Sequence, residues 1–209
     1  MDSGDRIRIL DLLPGDDEDV IRCTVRATGL RDGEPYECLS YVWGDSSKLR
    51  TISLADEVVE VTETLYFALR RLRRQTNTRA LWVDQLCIDQ WDTKQKTQQV
   101  NMMRDIYGGC TQCLIWLGEI AGDDEDSQVH DAAAAFDFIQ LCATHFGDSD
   151  GTNQIPPSLS TPSQRDGAYR AFKAFSLHGN PWWNRIWYVW RSCKQISCFQ
   201  LLSSRYCVP

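Results

Sequence analysis

Apolar and polar positions alternate most clearly near the start of the chain, where Ile21, Cys23, Val25 and Ala27 interleave with Arg22, Thr24 and Arg26. Successive side chains of a strand point to opposite faces, so this period of two predicts a strand with one buried face. Gly29 and Gly33 then mark a turn. Three later runs are apolar at both parities: Glu37 to Trp43, Leu81 to Ile88 and Cys113 to Leu117. Each is short and rich in strand formers, the pattern of strands buried on both faces of a sheet. Between the first two, Thr51 to Leu54 and Val58 to Val61 flank the polar Ala55-Asp56-Glu57 and predict a small hairpin.

Helical spacing separates these runs. Leu65, Ala68, Leu69 and Leu72 follow i, i+3, i+4, i+7, with Thr62 in position to cap them. Asp92 is placed to cap a second helix that turns Val100, Met103, Ile106 and Tyr107 inward and stops at Gly108-Gly109. A third, from about Gln128 to Phe146, carries Ala132, Ala133, Phe136 and Ile139 on one side. The polar, proline-bearing stretch Asp148 to Ser163 reads as a loop before a helix near Arg165 to Leu177. Alternating strands and helices need crossover connections, so the expected fold is α/β: a mostly parallel central sheet flanked by helices, with a small β-hairpin insertion. Ligands favour the carboxyl ends of such strands, here Tyr41 to Asp45, Cys87 to Asp92 and Leu117 to Glu119.

Composition narrows the function. The chain has 209 residues, 43% apolar and 24% charged, which suits one compact core plus a tail. With 22 Lys and Arg against 29 Asp and Glu the net charge is -7, which repels polyanions, so no nucleic-acid partner is expected. The basic cluster Arg70, Arg71, Arg73 and Arg74 falls at a predicted helix end, where cations suit the dipole. No apolar run approaches the roughly 20 residues of a membrane span, and Met1 to Arg8 does not resemble a secretory leader. Nine cysteines, several inside apolar runs, fit a reducing, cytoplasmic setting. Cys110 and Cys113 form a CxxC without a second ligand pair, and His130, His145 and His178 are isolated, so neither a metal nor a cofactor is expected.

Tyr41, Trp43 and Gly44 at one strand end, and Asp84, Cys87, Asp89 and Gln90 at another, allow a pocket with aromatic walls and carboxylates. The competing reading makes Asp84 the acceptor of a backbone turn, Gln90 and Asp92 helix caps, and the tryptophans core. Cys87 has no histidine near it in sequence to activate it as a nucleophile.

Three blocks resemble the signature of one family. Tyr36 to Asp45, YECLSYVWGD, resembles the opening motif Y-x-A-L-S-Y-x-W-G of heterokaryon-incompatibility (HET) domains of filamentous fungi. Leu81 to Gln90, LWVDQLCIDQ, is similar to the block L-W-[IV]-D-x-x-C-I-[ND]-Q, and Pro181 to Trp187, PWWNRIW, to W-[FW]-x-R-x-W. The resemblance adds Arg185 and Trp187 to the candidate pocket and makes residues 1–190 the HET domain. It implies non-self recognition and regulated cell death through protein partners or self-association, and a fold akin to Toll/interleukin-receptor (TIR) and flavodoxin-like domains. Some TIR domains cleave the nicotinamide bond of NAD with a glutamate, which would make a nucleotide a possible ligand. Two departures stand out: Lys94-Gln95-Lys96 replaces a usually acidic position, and Arg191 stands where the family tends to place glutamate. A guanidinium does not stabilise an oxocarbenium-like centre, so no catalysis of its own is expected of this chain, and no catalytic residue is assigned. Residues 191–209 contain three cysteines and no acidic side chain; they are expected to be an irregular, aberrant tail of a truncated form.

Overall fold

The computed structural model describes residues 6–118, 160–166 and 181–182, and the backbone of 199–203 and 206–207. Its elements run β1 (Arg6–Leu12), β2 (Arg22–Gly29), β3 (Glu37–Tyr41), β4 (Leu49–Leu54), β5 (Glu57–Thr62), α1 (Glu63–Leu72), β6 (Arg79–Trp82), α2 (Asp84–Cys87), α3 (Thr93–Gly109), β7 (Gln112–Trp116), β8 (Phe199–Ser203) and β9 (Tyr206–Cys207). Among the described residues these strands form one sheet of nine, ordered β5-β4-β2-β1-β6-β3-β7-β8-β9.

The three doubly apolar runs lie side by side, with β3 between β6 and β7 and parallel to both. The sheet as a whole is mixed, which corrects the expectation of a mostly parallel one. Among the described residues four neighbouring pairs are parallel and four antiparallel. The element that changes the count is β1, whose Ile7, Ile9, Leu10 and Leu12 are all buried. Only residues 13–21 join it to β2, fewer than the dozen or more a parallel crossover needs, so β2 folds back antiparallel. β1 then pairs antiparallel with β6 on its other side.

β3 shows why a doubly apolar run is needed. Tyr36 donates from its hydroxyl to the Ile106 carbonyl at 2.6 Å, and the Cys38 thiol approaches the same oxygen at 3.7 Å. Ser40, on the Cys38 face, accepts from the Trp182 indole N–H at 2.9 Å. The other face holds Leu39 and Tyr41, both about 1% exposed. The predicted inward positions of α1, Leu65, Ala68, Leu69 and Leu72, are all buried. Each leucine so placed contributes about 1.5–3 kcal/mol relative to an exposed one.

Several expectations change in detail. The run Leu81 to Ile88 is not one strand: β6 ends at Trp82, and Asp84–Cys87 form a single helical turn closed by the Cys87 N–H on the Val83 carbonyl at 2.7 Å. In β2 the alternation fails at its end, where Ala27 is exposed and Thr28 buried. In α3, Ile106 and Tyr107 are buried as predicted, but Val100 is 49% exposed and Gln99 takes the inward position, donating to the Arg6 carbonyl at 2.8 Å. Thr62 occupies the cap position of α1, yet its hydroxyl bonds Gln85 rather than the helix N-terminus. Residues 162–166 are helical, so that helix opens earlier than Arg165: Thr161 and Gln164 cap each other reciprocally around Pro162. The expected irregular tail contains β8, parallel to β7, and β9, antiparallel to β8. The predicted helix Gln128 to Phe146, and the histidines, lie outside the described residues.

Candidate functional site

At the carboxyl ends of β3 and β6 the first two motif blocks meet. The chain leaves β3 through Val42-Trp43 and turns at Gly44, whose φ of 77° is a conformation that side-chain-bearing residues rarely adopt. A Cβ there would sit 2.4 Å from the Thr64 hydroxyl oxygen. Glycine is therefore dictated both by the backbone and by the approach of α1.

This turn lets the Trp43 indole N–H donate to the Asp84 carboxylate at 3.0 Å. The other Asp84 oxygen accepts from the Gln85 backbone N–H at 2.9 Å. Beside them, the hydroxyls of Tyr41 and Thr62 both donate to the Gln85 side-chain carbonyl, each at 3.2 Å. Gln85 thus joins β3, the start of α1 and the turn after β6. It carries no charge and sits in the unspecified part of the second block, so no sequence signal singled it out.

A second group of bonds fixes the segment that follows. Gln90 donates from Nε2 to the carbonyls of Asp84 at 3.0 Å and Ile88 at 3.3 Å. The Asp89 carboxylate accepts from the Trp91 and Asp92 N–H groups at 3.0 and 3.3 Å, and Asp92 caps α3 by accepting from Lys94 and Gln95. Arg8 ties this segment to β1, donating to the Cys87 carbonyl at 2.8 Å and the Gln95 side-chain oxygen at 3.1 Å. That oxygen also accepts from the Asp89 N–H at 3.1 Å. Arg8 and Gln95 are partners that no motif pointed to. Trp91, at the tip between the two aspartates, is 97% exposed.

The proposed pocket residues therefore divide. Tyr41, Trp43, Gly44 and Asp84 form one cluster, completed by Gln85 and Thr62. Asp89 and Gln90 belong to the adjoining turn, with Gln90 reaching back to the Asp84 backbone. Cys87 is buried, and its thiol is pushed up to about 12 by that burial, so it stays protonated near neutral pH. Arg185 and Trp187 lie outside the described residues, but Trp182 of the same block is 1% exposed against Ser40 of the first block. Among the described residues no group of three or more His, Cys, Asp or Glu is arranged to hold a metal. A depression of about 550 Å³ lies instead along the outer face of α3, lined by Thr93, Lys94, Thr97, Gln98, Asn101 and Met102.

The motif residues are held by one another across strand ends, which is how a family signature acts when it specifies a fold. Residues 36–190 match the profile of the heterokaryon incompatibility protein (HET) family, and the chain belongs to it. Over 147 residues it is 38% identical to heterokaryon incompatibility protein 6, OR allele, of Neurospora crassa, a match covering 64% of this chain and 21% of that protein. The match thus spans about a fifth of the relative's length. No solved structure matches the chain. No helix among the described residues is long and apolar enough to cross a membrane.

Proposed function

We infer that this chain acts as the HET module of a fungal vegetative-incompatibility protein, working in the cytoplasm through protein contacts to trigger regulated cell death. The observation that supports this most directly is the engagement of Asp84. Its carboxylate receives the Trp43 indole and the Gln85 backbone, so the acidic group of the second motif holds the first motif in place. The relative's name, heterokaryon incompatibility protein, supports the same role.

The second reading, a TIR-like enzyme that cleaves NAD, is favoured by the placement of carboxylates and aromatics at strand ends. Against it stands Arg191 where the family tends to carry glutamate. The two separate in one experiment. The chain is expressed from an inducible promoter in a filamentous fungus, while hyphal death is scored with a vital dye and nicotinamide release is measured on purified protein. Cell death without nicotinamide release above a denatured control is expected. Release that is lost in Asp84→Ala or Asp89→Ala would establish the enzyme, and induced hyphae that stay viable would remove the proposed signalling role.

A further inference from the structure

The hairpin β4–β5 ends the sheet, and no described strand pairs with the outer side of β5. Ala55 and Asp56 form its turn with φ of 51° and 66°, a two-residue loop of the kind that matches strand twist. Closure by such a turn makes Leu54 and Glu57 a pair that exchanges both backbone hydrogen bonds. Along the register, Ile52 with Val59 and Arg50 with Val61 are the next such pairs. The N–H and C=O groups of Val58 and Glu60 therefore point away from the sheet, in line and open to a further strand. The Val58 side chain is 77% exposed beside them.

Charge says what would fit. Asp56, Glu57 and Glu60 are all exposed, and none has an ion-pair partner among the described residues. The hairpin's own cation, Arg50, is engaged by Glu63 at 2.8 Å. A second copy would set the same three carboxylates against this edge, on a chain already at -7, and like charges facing each other across strands are destabilising. A cationic strand meets the opposite sign.

We propose that the β5 edge is a docking site for an extended segment of a partner protein with Lys or Arg at alternating positions, added to the sheet beside Val58 and Glu60. Backbone bonds supply the affinity; Glu60 selects the charge on its face of the strand, beside Val58, while Glu57 lies on the opposite face. The same acidic edge excludes self-pairing.

The test uses the full chain with a synthetic peptide, Thr-Arg-Val-Lys-Val-Arg-Thr, and a control with glutamate at its cationic positions. Titration calorimetry should show the acidic control binding about tenfold more weakly, the scale set by the direct and diagonal charge contacts of Glu60. Amide exchange at Val58 and Glu60 should slow only with the basic peptide. Val58→Pro should abolish binding while leaving the unfolding midpoint nearly unchanged, because that N–H takes no part in the β4 ladder. Glu60→Lys should reverse the charge preference. Unchanged exchange with the basic peptide, full binding by Val58→Pro, or a dimer in sedimentation that protects these amides without peptide would each overturn the proposal.

Discussion

The parallel pair β3–β6 is fastened at both ends by different chemistry. At the amino end, Glu37 and Arg79 form a two-pronged ion pair whose side chains are only 15% and 10% exposed, and Arg79 also donates to the Leu72 carbonyl at the end of α1. At the carboxyl end the contacts are hydrogen bonds to side chains that are partly open: Trp43 to Asp84, and Tyr41 and Thr62 to Gln85. A buried charge pair fixes register but leaves a stranded charge when one partner is lost. Hydrogen bonds among half-open groups are individually weaker, and water can replace them. The amino end is thus built to stay shut, whereas the carboxyl end, where loops emerge, is built from replaceable parts.

The sharpest break of this contrast is at the closed end. Arg79→Ala is expected to lower stability by about 3 kcal/mol, because it strands the Glu37 carboxylate and uncaps the Leu72 carbonyl. Urea unfolding measures it. Replacing both partners, Glu37→Leu with Arg79→Met, should recover most of the loss; a double variant as unstable as the single one would mean that the pair itself, rather than the stranded charge, supplies the stability.

At the open end the largest effect should come from backbone rather than side chain. Gly44→Ala places a Cβ 2.4 Å from the Thr64 hydroxyl oxygen in a left-handed conformation, and a loss of about 2 kcal/mol is expected. Adding Thr64→Ala should restore only the steric part of that loss in thermal unfolding. Full restoration would show that the φ of 77° imposes no strain.

These two ends also show what was legible in the sequence. The adjacency of β3, β6 and β7 was readable because strands buried on both faces must be apolar at both parities, and parity together with the helical spacing of Leu65, Ala68, Leu69 and Leu72 separates them from the apolar run Leu65 to Leu69. In β1 the alternation Arg6-Ile7-Arg8-Ile9 signals a strand with one buried face but not its place in the middle of the sheet, and Arg8 reaches the Cys87 carbonyl in the turn after β6. Its antiparallel pairs with β2 and β6, together with the β8–β9 pair, are what make the sheet mixed where a mostly parallel one was expected. Of the site, Trp43, Gly44 and Asp84 were visible as motif residues. Gln85, Gln95 and Arg8 were not, since their roles depend on contacts 23 to 87 residues apart that no local spacing encodes. The helical turn at Asp84–Cys87 was hidden for a related reason: Leu86, Cys87 and Ile88 continue an apolar run whether the chain extends or coils.

A smaller effect tests whether the open end is indeed replaceable. Trp43→Phe keeps the ring and deletes the indole donor to Asp84, and a loss of about 1 kcal/mol is expected in urea unfolding because solvent can supply a new donor. Asp84→Asn retains an acceptor and should cost no more. If Trp43→Phe destabilises as strongly as Arg79→Ala, the two ends are equivalent and the contrast between them fails.

The smallest predicted effect is pH-dependent and belongs to Cys87, which lies under the open end. Burial holds its thiol at about 12 in the folded chain against 9.0 for an unperturbed cysteine. The folded state therefore keeps a proton that the unfolded state releases above the lower value. Stability from this group is fully present below pH 9 and declines as pH rises from there toward about 12. Between pH 8 and pH 9 the expected change is only about 0.4 kcal/mol, since the unfolded thiol is just half ionised at the upper limit. Urea midpoints measured at both pH values, for the natural chain and for Cys87→Ala, isolate the contribution as a difference of slopes. A slope that Cys87→Ala leaves untouched would mean that the thiol ionises as readily in the folded chain as in the unfolded one, and that water reaches it from the carboxyl end of the β3–β6 pair. The shallower slope in the variant would instead confine the adaptable region to the Trp43–Asp84 and Tyr41–Gln85 contacts above it.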